Sequence, residues 1–359
     1  MSDEVRLALV GGGHAHIEVI RRFCEQPLPG VRLQVFDPNP HAIYSGMLPG
    51  FIAGMYERDE LEIDLEALCA HPQIDFVPEA VSRIDAGDRQ LHFESGAAIE
   101  FDLASIDIGS TLSGIDSPGV REFALTSRPI SGLLSRIEGA LEGTLGAPIH
   151  IVGAGAGGVE LALCIDARLR AAQSAASAIT LVTDASSVLH TASRALRRKV
   201  ERTLERRGIR VLTGSPVTAV RPGSVEFSDG SSQDSALTVW VTGPAAHPLA
   251  AASNLARDEH GFARIHPTLQ IEGHDDLFAV GDCASLPGMK KAGVYAVRSG
   301  PLLDHNLRAH LAGTALRTYT PQSDFLSLLN LGDGSAIGTK WGMALEGRIL
   351  MQLKHRIDR

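Results

Sequence analysis

The chain is short of paired sulfur. It has four cysteines in 359 residues, and Cys24, Cys69, Cys164 and Cys283 stand far apart with no C-x-x-C pair. That spacing excludes a thioredoxin-like dithiol and a zinc ribbon, and it fits a reducing compartment better than a disulfide framework. Long apolar runs are missing too: no window approaches the roughly 18 apolar residues of a membrane span. The opening residues are acidic and the first apolar stretch is short, so a secretory signal of the usual form is not expected. Positive charge is in deficit, with 33 Lys and Arg against 42 Asp and Glu. No nucleic-acid partner is therefore expected, since a broad footprint needs a basic surface. A cytoplasmic protein is the resulting expectation.

What the chain does have is glycine in patterned places. A length of 359 residues predicts about two domains, and a hydrophobic content of 44% suffices for two packed cores. The organising stretch is Arg6 to Asp37. Leu7 to Val10 is the apolar run of a buried parallel strand, and it opens directly into Gly11, Gly12 and Gly13. A helix-period segment, Ile17, Ile20 and Phe23, follows, with His14 and Ala15 at its start. Val31 to Phe36 supplies a second strand that ends on Asp37, followed by Pro38. A dinucleotide-binding βαβ unit carries its ribose-binding acid about 20 residues past the glycines, so FAD or NAD is the implied ligand. Gly11 permits the tight turn, Gly13 lets the backbone approach a diphosphate, and the helix start offers N–H donors and a positive dipole end. The third glycine position of G-x-G-x-x-G holds His16 instead. A glycine-rich turn in another α/β fold is the plain alternative.

Residues 41 to 56, HAIYSGMLPGFIAGMY, contain Gly46, Pro49, Gly50 and Gly54 and are expected to form a loop without regular elements. Tyr44, Met47, Leu48 and Phe51 suit a segment folded over a flat aromatic ring, with Ser45, Gly46 and Pro49 as candidate contacts. An apolar loop packed on the core explains the same pattern. A short helix is expected over 64–69. Segments 74–76, 80–84, 90–93 and 98–101 alternate in period two between turn residues and read as strands with a hairpin. A further strand, 103–108, ends at Gly109 and Ser110, where the backbone could pass close to a cofactor. Residues 117–128 read as a linker.

The opening device then recurs. Pro148 to Glu160 is PIHIVGAGAGGVE, with Gly153, Gly155 and Gly158 in full G-x-G-x-x-G register and Glu160 leading into a helix. The second strand of this copy, 178–182, is followed by Thr183 and Asp184, and no arginine appears before Arg194. An acid there favours NADH, whereas an arginine would favour the 2′-phosphate of NADPH. Residues 192–207 read as a basic amphipathic helix whose arginines form a solvated face. Strands follow at 209–212, 217–220, 224–227 and 237–241, the last closing at Gly243. LFAVGD, 277–282, reads as a strand ending in Gly281 and Asp282, with Asp282 placed for a ribityl or ribose hydroxyl; an ordinary turn is the alternative. A helix start behind Lys291 and Gly293 could stabilise negative charge on a flavin ring. At the C-terminus, Trp341, Leu345, Ile349, Leu353 and Ile357 recur every four residues among basic side chains. They read as one amphipathic helix over 339–359, which either docks on its own protein or lies on an anionic membrane.

Two glycine motifs about 140 residues apart, the Gly281-Asp282 pair, and glycine-ended strands at Gly109 and Gly243 resemble the two-dinucleotide-fold flavoproteins. These include the pyridine nucleotide–disulfide oxidoreductases and type II NADH dehydrogenases. GGGHAHIEV, YSGMLPGFIAGMY, KKAGVYAVRSGPLL and LKHRIDR are similar to the branch joined to, or standing beside, a selenophosphate synthetase. The resemblance implies an α/β protein with two Rossmann-like domains: an FAD domain from 1–112 and 245–318, an NAD(P)H domain at 113–244, and a C-terminal segment at 319–359 near the flavin or a membrane. It places FAD phosphates at Gly11 to Gly13, the ribose at Asp37, the adenine near the Val81 backbone, and the ribityl chain at Gly281 and Asp282. NADH would meet Gly153, Gly155, Gly158 and Glu160, with Thr183 at the strand end.

The implied activity is hydride transfer from NADH to FAD, then electron transfer to a second, unidentified acceptor. Quinone reductases of the family carry two glutamines on the helix after the Gly-Asp pair, where this chain has Val294 and Arg298. A flavin-bearing module serving a selenium-handling partner, and a quinone reductase held peripherally on the inner face of the membrane, are the other readings. Lys291 or the helix behind it is the candidate for tuning the flavin. No acid–base catalyst is nominated, because the cofactor carries the chemistry.

Overall fold

The computed structural model describes residues 4–142, 147–172 and 178–359. They divide into two compact units, one drawn from 4–44, 62–111 and 244–323, the other from 45–61, the described parts of 112–243, and 324–359. Residues 45–61, grouped with the flavin domain on sequence grounds, fall in the second unit, as does most of the C-terminal segment.

The first unit is built on a wholly parallel five-stranded sheet in the order Ile74–Val77, Val31–Phe36, Val5–Val10, Leu103–Ile106, Leu277–Ala279. Leu7 pairs with Leu33 on one side and Leu103 on the other, and all three are buried. A parallel strand covered on both faces needs such an unbroken apolar run. The helix His14–Glu25 buries Ala15, His16, Val19, Ile20 and Phe23, and each large apolar side chain among them contributes about 1.5–3 kcal/mol. It packs on the helix Gly293–Leu311, where a side chain on Gly300 would come 2.9 Å from the Cβ of Glu18. The strand order reverses between Val5–Val10 and Leu103–Ile106, and open sheets of this kind bind ligands beyond the carboxyl ends of the strands at that point. Val81–Asp85, Gln90–Phe93 and Ala98–Glu100 form an antiparallel meander, as the period-two pattern implies.

The second unit repeats the plan. Its parallel sheet runs Arg210–Leu212, Ile179–Val182, Ile149–Val152, Leu237–Trp240, Ala124–Thr126. The helix Ala156–Ala171 follows its glycine turn, and a meander of Val217–Arg221, Ser224–Phe227 and Ser232–Asp234 lies beyond. Leu112, Val120, Ala124, Val152, Val220 and Trp240 close one of its cores. The helix Arg194–Arg206 is capped by Ser193, buries Leu196, Val200 and Leu204, and exposes Arg194, Arg198, Arg202 and Arg206.

Three expectations are corrected. Residues 117–128 are more than a linker, for they hold the helix Val120–Phe123 and the sheet strand Ala124–Thr126. Residues 41–56 contain the strand His41–Ile43 and a five-residue helix, Leu48–Ile52, because Pro49 sits in the first helical turn, where its missing N–H costs nothing. The C-terminal stripe is not one helix. Ala336–Lys340 and Met343–Gly347 make a hairpin, and only Arg348–Asp358 is helical. The turn at Trp341 and Gly342 has φ of +53° and +75°, which breaks any continuous helix there. The strand Ser232–Asp234 was also unexpected, since Ser-Gln-Asp offers no apolar alternation.

Candidate functional site

In the first unit the strand Val5–Val10 ends at Gly11, whose φ of +95° turns the chain toward the helix start. Gly12 donates its N–H to Asp37 Oδ2 at 2.7 Å, and Asn39 donates to Asp37 Oδ1 at 2.8 Å. The acid at the end of the second strand is thus held against the glycine turn. His14 lies edge-on to Tyr44, with ring centroids 5.3 Å apart; burial lowers its pKa, against the pull of Asp282.

His16 answers the missing third glycine. The carbonyl of Gly11 can only accept, so His16 Nδ1 donates to it at 2.6 Å; Nε2 then accepts from the Ser105 hydroxyl at 2.8 Å. Burial holds the ring neutral by lowering its pKa to about 4. In the second cradle the equivalent Gly158 could not carry a side chain, which would collide with the Gly153 carbonyl. The first cradle therefore replaces a bare close contact with a hydrogen-bonded one.

One residue in this cradle escaped the sequence reading. Asp107 follows the strand Leu103–Ile106 and is only 3% exposed. Its Oδ2 accepts the N–H of Ala15 at 2.9 Å and of His16 at 3.4 Å. The N–H of Ala15, a candidate cofactor contact at the helix start, is thus engaged by protein. Side chains on Gly13 or Gly281 would run into this carboxyl, so two glycines chosen from distant motifs converge on it. Burial, helped by the neighbouring charges of Asp282 and Asp37, pushes Asp107 up to about 7. The available signal was an acid inside the apolar run SIDIGS.

Around the same cradle, Gly109 has φ +68° and open space on its Cβ side, as has Gly293 at the start of the helix Gly293–Leu311. Ser110 and Asp282 flank these turns; Val81 opens the meander and Pro38 follows Asp37. Lys291 is half-buried: it donates to the Ala284 carbonyl and sits 3.7 Å above the centre of the Phe262 ring. Burial lowers its pKa, opposed by Cys283, Asp282 and Asp258. Cys283 itself is a buried thiol pushed up to about 12, and all four cysteines are free. A dithiol beside the Gly281-Asp282 turn is absent among the described residues.

In the second unit Gly153 turns at φ +113°, Gly155 caps the helix Ala156–Ala171 with open space on its Cβ side, and Gly243 is similarly open. Thr183 is buried; its hydroxyl accepts from the Ala185 N–H at 3.1 Å and meets Asp184 Oδ1 at 3.4 Å. Asp184 is the exposed acid at this strand end. Glu160, assigned to NADH by the resemblance, has a partner within the protein. Its carboxylate accepts the N–H of Asn330 at 2.8 Å, and burial pushes it up to about 7, against the pull of Lys354. Lys354, buried on the C-terminal helix, donates to the Gly46 carbonyl at 2.9 Å and to Asp358 at 2.8 Å. Gly46 is thus bonded to the Lys354 ammonium, whose charge also reaches Glu160, and Ser45 and Pro49 flank Gly46 in the chain. Lys354 was read only as one of several basic residues around the stripe. Among the described residues no cluster of His, Cys, Asp and Glu fits a metal ion.

Two parallel sheets that share the order of four strands, each with a glycine turn into a helix start and an acid near the next strand end, fit dinucleotides twice over. Residues 5–301 match the family described as pyridine nucleotide-disulphide oxidoreductase. The chain belongs to this family. As a member it is an oxidoreductase that works with a pyridine nucleotide. It is 26% identical to the NADH dehydrogenase-like protein YutJ of Bacillus subtilis, over 97% of this chain and 96% of that one. It is 22% identical to a type II NADH:quinone oxidoreductase of Staphylococcus saprophyticus, over 99% and 94%. Among solved structures, NDH2 of Plasmodium falciparum in complex with NADH shares the fold with a TM-score of 0.84 at 12% identity, covering 99% of this chain and 94% of that one. The sulfide:quinone oxidoreductase of Aquifex aeolicus shares it with a TM-score of 0.81 at 17% identity, covering 99% and 90%.

Proposed function

We propose that the first cradle holds FAD, that the second holds NADH, and that electrons pass from NADH by way of the flavin to a second acceptor. The chain is an FAD-dependent NAD(P)H oxidoreductase of the NADH dehydrogenase-like kind. The single observation that carries this reading is the duplication: counted from the strand that leads into the glycine turn, four parallel strands take the same order (third, second, first, fourth) in both sheets, each time with the glycine turn where the sheet order reverses. Bound flavin supplies the two-electron redox chemistry that side chains lack. The chain's part is placement and charge. Gly11 to Gly13 with the N–H of His14 face the diphosphate, Asp37 the ribose, Gly281 and Asp282 the ribityl chain, and the backbone near Val81 the adenine. Gly109, Ser110 and Gly293 leave room for the cofactor, and the Lys291 ammonium supplies positive charge beside it.

For the nicotinamide nucleotide, Gly153, Gly155 and Gly158 hold the diphosphate. The exposed Asp184 after Thr183, with no arginine before Arg194, favours NADH over NADPH. A quinone is the acceptor that the relatives' names point to, although Val294 and Arg298 stand where glutamines are expected in quinone reductases of the family. A peripheral place on the inner face of the membrane is supported by exposed apolar side chains along the C-terminal hairpin and helix: Trp341, Met343, Leu345, Ile349 and Ile357. No helix among the described residues is long and apolar enough to cross a membrane. A selenophosphate synthetase is the protein partner suggested by the sequence resemblance, and a cytoplasmic location goes with it.

The test is spectroscopic and kinetic. Purified protein should carry FAD, or take it up, and should oxidise NADH faster than NADPH in a screen of quinones and selenium compounds. A protein that neither carries nor binds FAD would end this reading.

A further inference from the structure

Asp107 is a buried acid at a helix start where the proposed function puts two more negative charges. The opening turn of the helix His14–Glu25 presents N–H donors at the point where the sheet order reverses, and such donors together with the helix dipole are what hold a dinucleotide diphosphate. Asp107 takes two of them, those of Ala15 and His16. Gly13 and Gly281, which have no side chains, leave the space that its carboxyl group fills. Both backbone donors point to Oδ2, so neither uses Oδ1, the atom that faces Gly281.

The groups facing Asp107 offer it no compensating cation. Asp37 at the end of the second strand and Asp282 after the strand Leu277–Ala279 are acids, and Cys283 is a buried thiol. From the helix, His16 is neutral and already bonded to Gly11 and Ser105, and burial favours the neutral form of His14. A carboxylate in this position and a diphosphate at the same helix start repel each other at close range with little solvent between them.

We propose that Asp107 is a positioning residue that couples cofactor binding to proton uptake: its carboxyl carries a proton on Oδ1 when the FAD diphosphate is seated, and one proton enters from solvent when FAD binds to the ionised form. The protonated acid keeps both backbone hydrogen bonds through Oδ2, so the helix start stays in place without the added charge. Binding then has a preferred pH range. Below the Asp107 pKa of about 7 the proton is already present, and affinity is insensitive to pH. Above it, affinity falls by up to about tenfold per pH unit, the limit for one linked proton. This inference rests on the assignment of FAD to the first cradle.

The experiment is a titration of flavin-stripped full-length protein with FAD across about pH 5.5 to 9, followed by flavin fluorescence. It is paired with calorimetry in two buffers of different ionisation heat, which counts protons directly. Wild type should bind with constant affinity in acid and lose affinity above neutrality, taking up close to one proton per FAD at the alkaline end. Asp107→Asn should show a flat profile and bind FAD more tightly than wild type at alkaline pH. His14→Gln should keep the wild-type slope, because a histidine in the cradle would otherwise contribute with the same sign. Equal slopes in wild type and Asp107→Asn, a slope lost with His14→Gln, or no proton uptake by wild type would each overturn the proposal while leaving FAD binding intact. The proton count needs no variant, so it decides the matter even if Asp107→Asn fails to fold. Failure of wild type to bind FAD at any pH would instead overturn the functional assignment beneath it.

Discussion

A side chain on Gly13 would occupy the space held by the carboxyl group of Asp107. The close approach that the glycine motif provides is used here by an acid of the protein. Gly13→Ala should therefore push Asp107 off the helix start and release FAD, seen as loss of flavin absorbance from purified protein. Gly158→Ala forces a collision with the Gly153 carbonyl in the second cradle. It should leave the flavin bound while raising the KM for NADH at least about tenfold, equivalent to about 1.4 kcal/mol of lost binding.

His16→Ala removes a fully buried ring and leaves the Gly11 carbonyl and Ser105 hydroxyl without partners. A cost of about 2–5 kcal/mol follows from the cavity and the unsatisfied groups, measurable by denaturant unfolding. The sign with pH is set by the lowered pKa. The folded state holds His16 neutral down to about 4, whereas the unfolded chain protonates near its ordinary value. The His16 contribution is complete above the unfolded value and is lost as pH falls through the window toward 4. Wild-type stability should decline more steeply in that window than the stability of His16→Ala.

Much of the architecture was legible because buried parallel strands and glycine turns are local signals. Leu7–Val10 and Val31–Phe36 announce themselves as apolar runs, and Gly153, Gly155 and Gly158 as a motif. Asp107 was not legible, since a lone acid in SIDIGS breaks an apolar pattern without revealing what it touches. The bond from Lys354 to Gly46 joins distant parts of the chain and leaves no periodic trace. The C-terminal stripe misled for a physical reason: its four-residue spacing suits a helix, but Gly342 in the turn and Gly347 ahead of the helix divide it into a hairpin and a shorter helix.

Lys354 is a buried cation bonded to Asp358, and its charge also acts on Glu160. Lys354→Met should destabilise the protein by about 3–5 kcal/mol, the usual cost of leaving buried charge without its partner. Adding Asp358→Asn should recover part of that loss. A double-mutant cycle by thermal unfolding measures the coupling, and additive effects of the two changes would argue against the pairing.

Trp341 and Ile349 are 73% and 79% exposed, and Arg348, Arg356 and Arg359 lie on the same C-terminal segment. An apolar surface edged by basic side chains is suited to anionic lipid. Wild type should sediment with vesicles of anionic phospholipid, less so at high salt. A Trp341→Ser and Ile349→Ser double variant should stay in the supernatant with an unchanged flavin spectrum. Equal sedimentation of both proteins would remove the membrane assignment.

The central claim is that NADH held by one cradle reduces FAD held by the other. It is tested most directly by mixing the FAD-loaded protein with NADH under anaerobic conditions in a stopped-flow spectrometer and following the oxidised-flavin band. The account predicts rapid, saturable bleaching that is slower with NADPH and depends on Gly158. A flavin band that stays unchanged at saturating NADH would contradict it.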